Sequence, residues 1–172
     1  MIGQPYTFRP FAHGDLTIAA RWLQTPEVIR WWGDPVEQLA LLSGDLAEPL
    51  MRQWIVEYQG TPFAYLQAYP ALAWPQSHLS HLPQGAQVVD VFVGEPDMLG
   101  RDHGSAMLRL FAEKLLAEGA AVVAIDPAAD NWRARRAFAR AGFTGDIVVV
   151  SADGPVVLML FSGWSAAKGM NA

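Results

Sequence analysis

Residues 86–142 carry the pattern that most restricts how this chain can fold. AQVVDVFVGE is an apolar run of strand type, and GSAMLRLFAEKLLAEG has helical periodicity and ends on Gly119. AVVAID is a second short apolar run, and DNWRARRAFARAG is a second helix ending on Gly142. A strand, helix, strand succession of this kind predicts two parallel strands joined by a right-handed crossover, and so a sheet with helices packed on it. No sequence period typical of repeat architectures recurs.

The flanking segments extend that sheet. YTFRPF (6–11) reads as a first strand, and Asp15 stands at the expected N-cap of an amphipathic helix bearing Leu16, Ile18, Ala19, Trp22 and Leu23. Residues 34–51 read as helical and irregular by turns. QWIVEYQGTPFAYLQAY (53–69) reads as a hairpin about Gln59-Gly60-Thr61, with Pro62 just past the turn. The proline-punctuated stretch 70–85 is a loop long enough to suggest function. FTGDIVVVSADGPVVLMLF closes the chain with two strands about Asp153-Gly154. The expected order is β, α, α, β, β, β, α, β, α, β, β, an α/β chain forming a single domain over 1–172.

Composition narrows the function. Hydrophobic residues make up 52% of the 172 and charged ones 17%, which describes a core-rich globule. A net charge of -5 argues against a general nucleic-acid binder and favours a small or cationic partner. The chain has no cysteine, so disulfides, thiolate metal sites and a cysteine nucleophile all drop out. No apolar run approaches the roughly 18 to 20 residues of a membrane span, and MIGQPYTFRP lacks the regions of a signal peptide, so cytoplasmic residence is expected. No metal is expected: His78 and His81 lack further ligands and read as solvated loop residues.

The chemistry centres on DVFVGEPDMLGRDHGSAML (90–108), a strand feeding a glycine-bearing turn and a helix start. Such a start leaves backbone N–H groups unpaired at the positive end of the helix dipole, where an anion is at home. Gly100 and Gly104 would admit a phosphate closely, and Arg101 and His103 could add charge or a hydrogen bond. Two glycines in a turn also fit a plain turn.

This segment resembles the acetyl-coenzyme A motif of the GNAT N-acetyltransferases: Gln or Arg, two residues, Gly, one residue, then Gly or Ala. Arg101 to Ala106 matches it literally. Aligning Gly104-Ser105-Ala106-Met107-Leu108 with the family's helix start places the motif instead on Leu99 to Gly104. That register also aligns the strand and is preferred, although Leu99 then replaces the polar first residue and Asp102 the middle glycine. DPAADNWRARRAFARAGF (126–143) resembles the family's second cofactor segment, in which Asn131 would open a helix beside the pantetheine arm and an aromatic residue lies near the sulfur. Within the family the chain is most similar to the aminoglycoside 6'-N-acetyltransferases, through Arg30-Trp31-Trp32-Gly33, Tyr65-Leu66-Gln67-Ala68-Tyr69, Asp90 to Asp97, Asp126-Pro127 and Asp153-Gly154-Pro155.

The resemblance implies the GNAT fold, a mixed central sheet of about six to seven strands flanked by helices, and acetyl-CoA as co-substrate. It also implies direct attack by an amine in a ternary complex, with coenzyme A in a cleft between the third and fourth core strands, which run parallel. Backbone N–H groups near Phe92 and Val93 would bind the pantetheine and the carbonyl oxygen. The turn from Leu99 through Gly100, Arg101, Asp102, His103 and Gly104 to Ser105 would hold the phosphates, and a carboxylate at Asp102 would have to turn outward. Phe138 stands where many relatives carry a tyrosine that protonates the leaving thiolate, and it has no proton to donate.

Asp90 is the expected catalytic residue, since a carboxylate inside VVDVFV is costly unless paired, hydrated or used. It would act as base or as an anchor for an ammonium group; strand alternation onto a solvated face is the plain alternative. Trp31 and Trp32 would form a wall for a sugar ring or cover a cation, or else pack in the core. Gln67, Tyr69, Asp126 and Asp153 complete the expected acceptor site. In the aminoglycoside enzymes the 70–85 loop tends to be rich in acids, whereas here it has none, with Trp74, His78 and His81 instead, which suggests a less charged amine. Two other readings are a siderophore-type acyltransferase acting on a hydroxylamine or amine, and a binding protein of the same fold that has lost transfer. The expected oligomer is a monomer or homodimer.

Overall fold

The computed structural model describes residues 3–162. They form two compact units, 3–68 with 90–104, and 69–89 with 105–162, so that two strands and one helix each contribute to both.

The first unit begins with strand β1 (Tyr6–Pro10) and three helices, α1 (Leu16–Leu23), α2 (Pro26–Trp32) and α3 (Pro35–Asp45). Proline at the first helical position starts both α2 and α3, and Asp34 caps α3 by accepting from the Val36 and Glu37 amides. Asp15 holds the N-cap position of α1 but makes no cap bond to it. Its carboxylate instead accepts from the Ala12 amide and pairs with both terminal nitrogens of Arg9 at 2.9 Å, closing a short 3-10 turn. That ion pair holds Asp15 below the usual carboxylate range.

Strands β2 (Arg52–Tyr58) and β3 (Thr61–Pro70) pair antiparallel about the predicted turn, where Gln59 and Gly60 both have positive φ. β1 pairs with the other edge of β2. Strand β4 (Gln87–Val93) enters this unit with its second half. The helices bury Ala19, Trp22, Leu23, Val28 and Leu42 in a cluster with Ile55 of β2, Tyr65 of β3 and Phe92 of β4.

The second unit contains the first half of β4, helix α4 (His103–Ala117) from Ser105 onward, strand β5 (Val123–Ile125), helix α5 (Trp132–Ala141) and strands β6 (Val148–Ser151), β7 (Gly154–Val157) and β8 (Met159–Phe161). β4 and β5 run parallel, as the strand, helix, strand pattern predicts, with Gln87 opposite Val123 and Val88 opposite Ala124. Across the main sheet the order is β1-β2-β3-β4-β5-β8, a mixed α/β arrangement of the GNAT type flanked by helices.

The closing segment departs from expectation. VVLMLF forms two strands, not one: β7 pairs with β6 in a separate two-stranded sheet, while β8 pairs antiparallel with β5. The uninterrupted apolar run hides the change of partner at Leu158.

Candidate active site

Asp90 lies on β4 within the first unit, half-buried, on the strand face it shares with Phe92. Its Oδ2 accepts from Gln67 Nε2 at 2.8 Å, and Gln67 Oε1 accepts from the Tyr65 hydroxyl at 2.7 Å. The Tyr65 oxygen accepts in turn from Gln53 Nε2 at 2.9 Å, and the same nitrogen donates to the Leu42 carbonyl at 3.0 Å. Burial holds the Tyr65 phenol far above its ordinary pKa, so it remains a neutral donor. The β2–β3 register brings these groups together: Gln53 sits opposite Gln67, and Ile55 opposite Tyr65.

Aromatic rings form a wall beside this chain. Phe92 stacks on Tyr65 at 5.3 Å, and Trp32 meets Phe92 edge-on at 4.9 Å. Trp32 is therefore part of the wall over the core, while its neighbour Trp31 lies under the Arg30 guanidinium, 4.8 Å from the ring centroid. Trp22 donates its indole N–H to Glu95 at 2.9 Å, and Arg21 pairs with the same carboxylate, holding Glu95 below its usual range. Gly94 makes that arrangement possible, because a Cβ there would stand 2.1 Å from Trp22 Cγ.

The turn after β4 leads into α4. Gly100 has φ 71° and Asp102 φ 59°, so two of its residues are left-handed. Asp102 and Arg101 are exposed, Leu99 is half-buried, and Ser105 is buried in the first turn of α4. Gly104 is not required by packing, since its Cβ would meet only Val93 Cγ2 at an ordinary 3.7 Å. Backbone of this shape, with the first amides of a 15-residue helix following it, fits a phosphate-bearing ligand. The His103 side chain is already engaged: its Nδ1 hydrogen-bonds the Tyr6 hydroxyl at 2.7 Å, and its ring packs against Tyr6, Tyr58 and Phe63.

In the second unit, Asn131 caps α5 by accepting from the Ala134 amide at 3.1 Å, and Phe138 lies half-buried on that helix. Tyr69 is buried against Trp74, with ring centroids 5.4 Å apart. The expectation of a solvated His78 is overturned. His78 is buried, and its Nε2 lies 2.7 Å from Asp126 Oδ2 at the end of β5. Burial raises the Asp126 carboxyl above its ordinary range, His78 opposes that, and Asp153 adds to it from the β6–β7 turn. Among the described residues, no group of three or more His, Cys, Asp or Glu is placed to hold a metal ion. No described helix is long and apolar enough to cross a membrane.

A family model described as an acetyltransferase (GNAT) domain matches residues 12–149. The chain belongs to the GNAT acetyltransferase family. It is 27% identical over 166 residues to an aminoglycoside N(6')-acetyltransferase type 1 of Klebsiella pneumoniae, covering 90% of this chain and 81% of that protein. A crystal structure of the aminoglycoside acetyltransferase AAC(6')-Ib with coenzyme A and kanamycin aligns with a TM-score of 0.82 and 25% identity, over 97% of this chain and 99% of that one. An aminoglycoside N(6')-acetyltransferase from Legionella pneumophila shares the fold, with a TM-score of 0.77 at 21% identity, over 94% of each chain.

In the register preferred on sequence grounds Asp102 takes the place of the motif's middle glycine, and the backbone at Asp102 is left-handed, a conformation that aspartate tolerates better than most residues other than glycine. Sequence reasoning missed His78, Gln53 and Tyr65. The signal for the last two was present: polar groups at Gln53, Tyr65 and Gln67 interrupt otherwise apolar runs on one face of paired strands.

Proposed function

We propose that residues 1–172 act as a single acetyl-CoA-dependent N-acetyltransferase domain whose acceptor is a primary amine of a small, aminoglycoside-like molecule, with 6'-N-acetylation as the leading case. The observation that carries this reading is Asp90, a carboxylate held by a buried donor chain against an aromatic wall, on the strand that leads into the turn at Gly100 and Asp102. Relatives of the same fold have been crystallised with coenzyme A, which supports acetyl-CoA as the donor.

In this reading Asp90 pairs with the acceptor's ammonium group and takes the proton that the amine sheds on becoming a nucleophile. The amine nitrogen bonds to the thioester carbonyl carbon, the carbon–sulfur bond breaks, and the thiolate leaves with the bonding pair. Acetyl-CoA, when bound, supplies the activated acyl group. Backbone amides near Phe92 and Val93 polarise its carbonyl, and the leaving thiolate takes its proton from water, since Phe138 has none to give. Trp32 offers an aromatic face to a sugar ring.

The acceptor carries fewer positive charges than a typical polyamine antibiotic. The 70–85 loop contributes no acid, and its His78 already occupies the carboxylate of Asp126. Thiol release from acetyl-CoA, measured across kanamycin-type aminoglycosides, amino sugars with one or two amines, and hydroxylamines, tests this directly. Turnover fastest on sugars with one or two amines supports it. Turnover confined to hydroxylamines would support the siderophore-type alternative, and tight binding of aminoglycoside without turnover would indicate a binding protein.

A further inference from the structure

We infer that Tyr65 and Gln53 are positioning residues for acetyl transfer, acting through Gln67 on the carboxylate of Asp90. This rests on the reading of Asp90 as the group that takes the amine's proton.

Each link has a direction. At the far end stands the Leu42 carbonyl, which can only accept, so the group of Gln53 facing it must be its NH2. The second hydrogen of that NH2 points to the Tyr65 oxygen, and Tyr65 therefore directs its own proton to Gln67 Oε1. With Oε1 committed, Gln67 presents its NH2 to Asp90 Oδ2. An amide reversed at Gln67 would set its carbonyl oxygen against a carboxylate oxygen, and Tyr65 is what opposes that reversal. The Gln53 NH2 is thus anchored on the Leu42 carbonyl by one hydrogen, and from its other hydrogen onward each donor, Gln53 to Tyr65, Tyr65 to Gln67 and Gln67 to Asp90, is aimed toward the carboxylate.

Gln53, Tyr65 and Gln67 are all buried, so no bulk water replaces a missing link. A fixed donor favours the charged form of the carboxylate it faces. The chain keeps Asp90 ionised and oriented down to lower pH than a carboxylate with a freely reversing amide beside it.

The test is Tyr65→Phe, which removes the hydroxyl and keeps the ring that packs on Phe11, Trp32 and Phe92. The predicted result is an acid limb of the kcat/KM profile moved up by about 0.5 to 1 pH unit, with KM for acetyl-CoA unchanged. A carbon-13 titration of the Asp90 carboxyl should move in the same sense in the absence of any substrate. Gln53→Met serves as a second variant in case Tyr65→Phe folds poorly, and should give a shift of the same sign. A lowered melting temperature with an unmoved acid limb and an unmoved Asp90 titration would overturn the inference and leave the chain a structural one. Asp90→Asn separates this from the reading beneath it: if that variant turns over at the wild-type rate, the assignment of Asp90 itself fails.

Discussion

At Asp102 the backbone is left-handed, which costs most residues other than glycine about 1–2 kcal/mol and costs aspartate less. Replacing it by glycine relieves that strain but adds flexibility to the unfolded chain, and the two effects roughly offset. The electrostatic change has no such offset. A carboxylate at the turn repels a pyrophosphate, so Asp102→Gly should leave the melting temperature nearly unchanged and tighten coenzyme A binding by about fivefold at low salt. Calorimetric titration at low and high ionic strength checks this, since the gap should narrow as salt rises. Equal affinities at low salt would mean the Asp102 charge does not reach the bound phosphates. At Asp90 the expected change is catalytic: Asp90→Asn should lower kcat by about 10²- to 10⁴-fold while the dissociation constant for coenzyme A holds.

At the scale of elements, two contacts decide how the functional segments are held. The end of β4 is pressed against α1 through Gly94, where a methyl group would overlap the Trp22 indole, and Trp22 is tied to the next residue, Glu95. Gly94→Ala should therefore cost at least about 2 kcal/mol, whereas Gly104→Ala, whose Cβ would make only an ordinary contact with Val93, should cost little. Denaturant melts of the two variants side by side give the comparison. The 70–85 loop is fastened to the end of β5 by His78 and Asp126. Because burial raises the Asp126 carboxyl, the folded state resists its ionisation, and that contribution to stability is present at low pH and lost as pH rises through the raised value. His78 counters the loss by donating to the ionised form. His78→Leu should accordingly destabilise by about 3 kcal/mol at neutral pH and by much less below the ordinary aspartate range, where Asp126 is protonated in folded and unfolded chains alike. A destabilisation equal at both pH values would show that His78 acts by packing alone.

Over the whole molecule, the parallel β4–β5 pair, the hairpin at Gln59-Gly60 and the helix ends at Gly119 and Gly142 were legible in the sequence, because local periodicity and turn chemistry set them. The split of VVLMLF was not, since β7 and β8 differ only in their partners, β6 and β5, which lie far from one another in the chain. The same reason hid His78: its burial is set by Asp126, 48 residues further on, and a lone histidine in a proline-punctuated loop carries no periodic signal. Asp90 stands out in the sequence as an acid within an apolar strand, but the Gln67 amide that faces it comes from another strand and is set by sheet pairing rather than by local pattern. Asp15 was placed correctly at the start of α1, but its side chain answers to Arg9.

The central claim is that this GNAT chain works on bound acetyl-CoA, and thermal unfolding with and without coenzyme A and acetyl-CoA tests it most directly. Cofactor at about 100 times its dissociation constant should add nearly 3 kcal/mol to stability, a rise of about 6–12 °C in a chain of this size. The account predicts that rise for wild type and, undiminished, for Asp90→Asn. No rise at millimolar cofactor in either protein would contradict it.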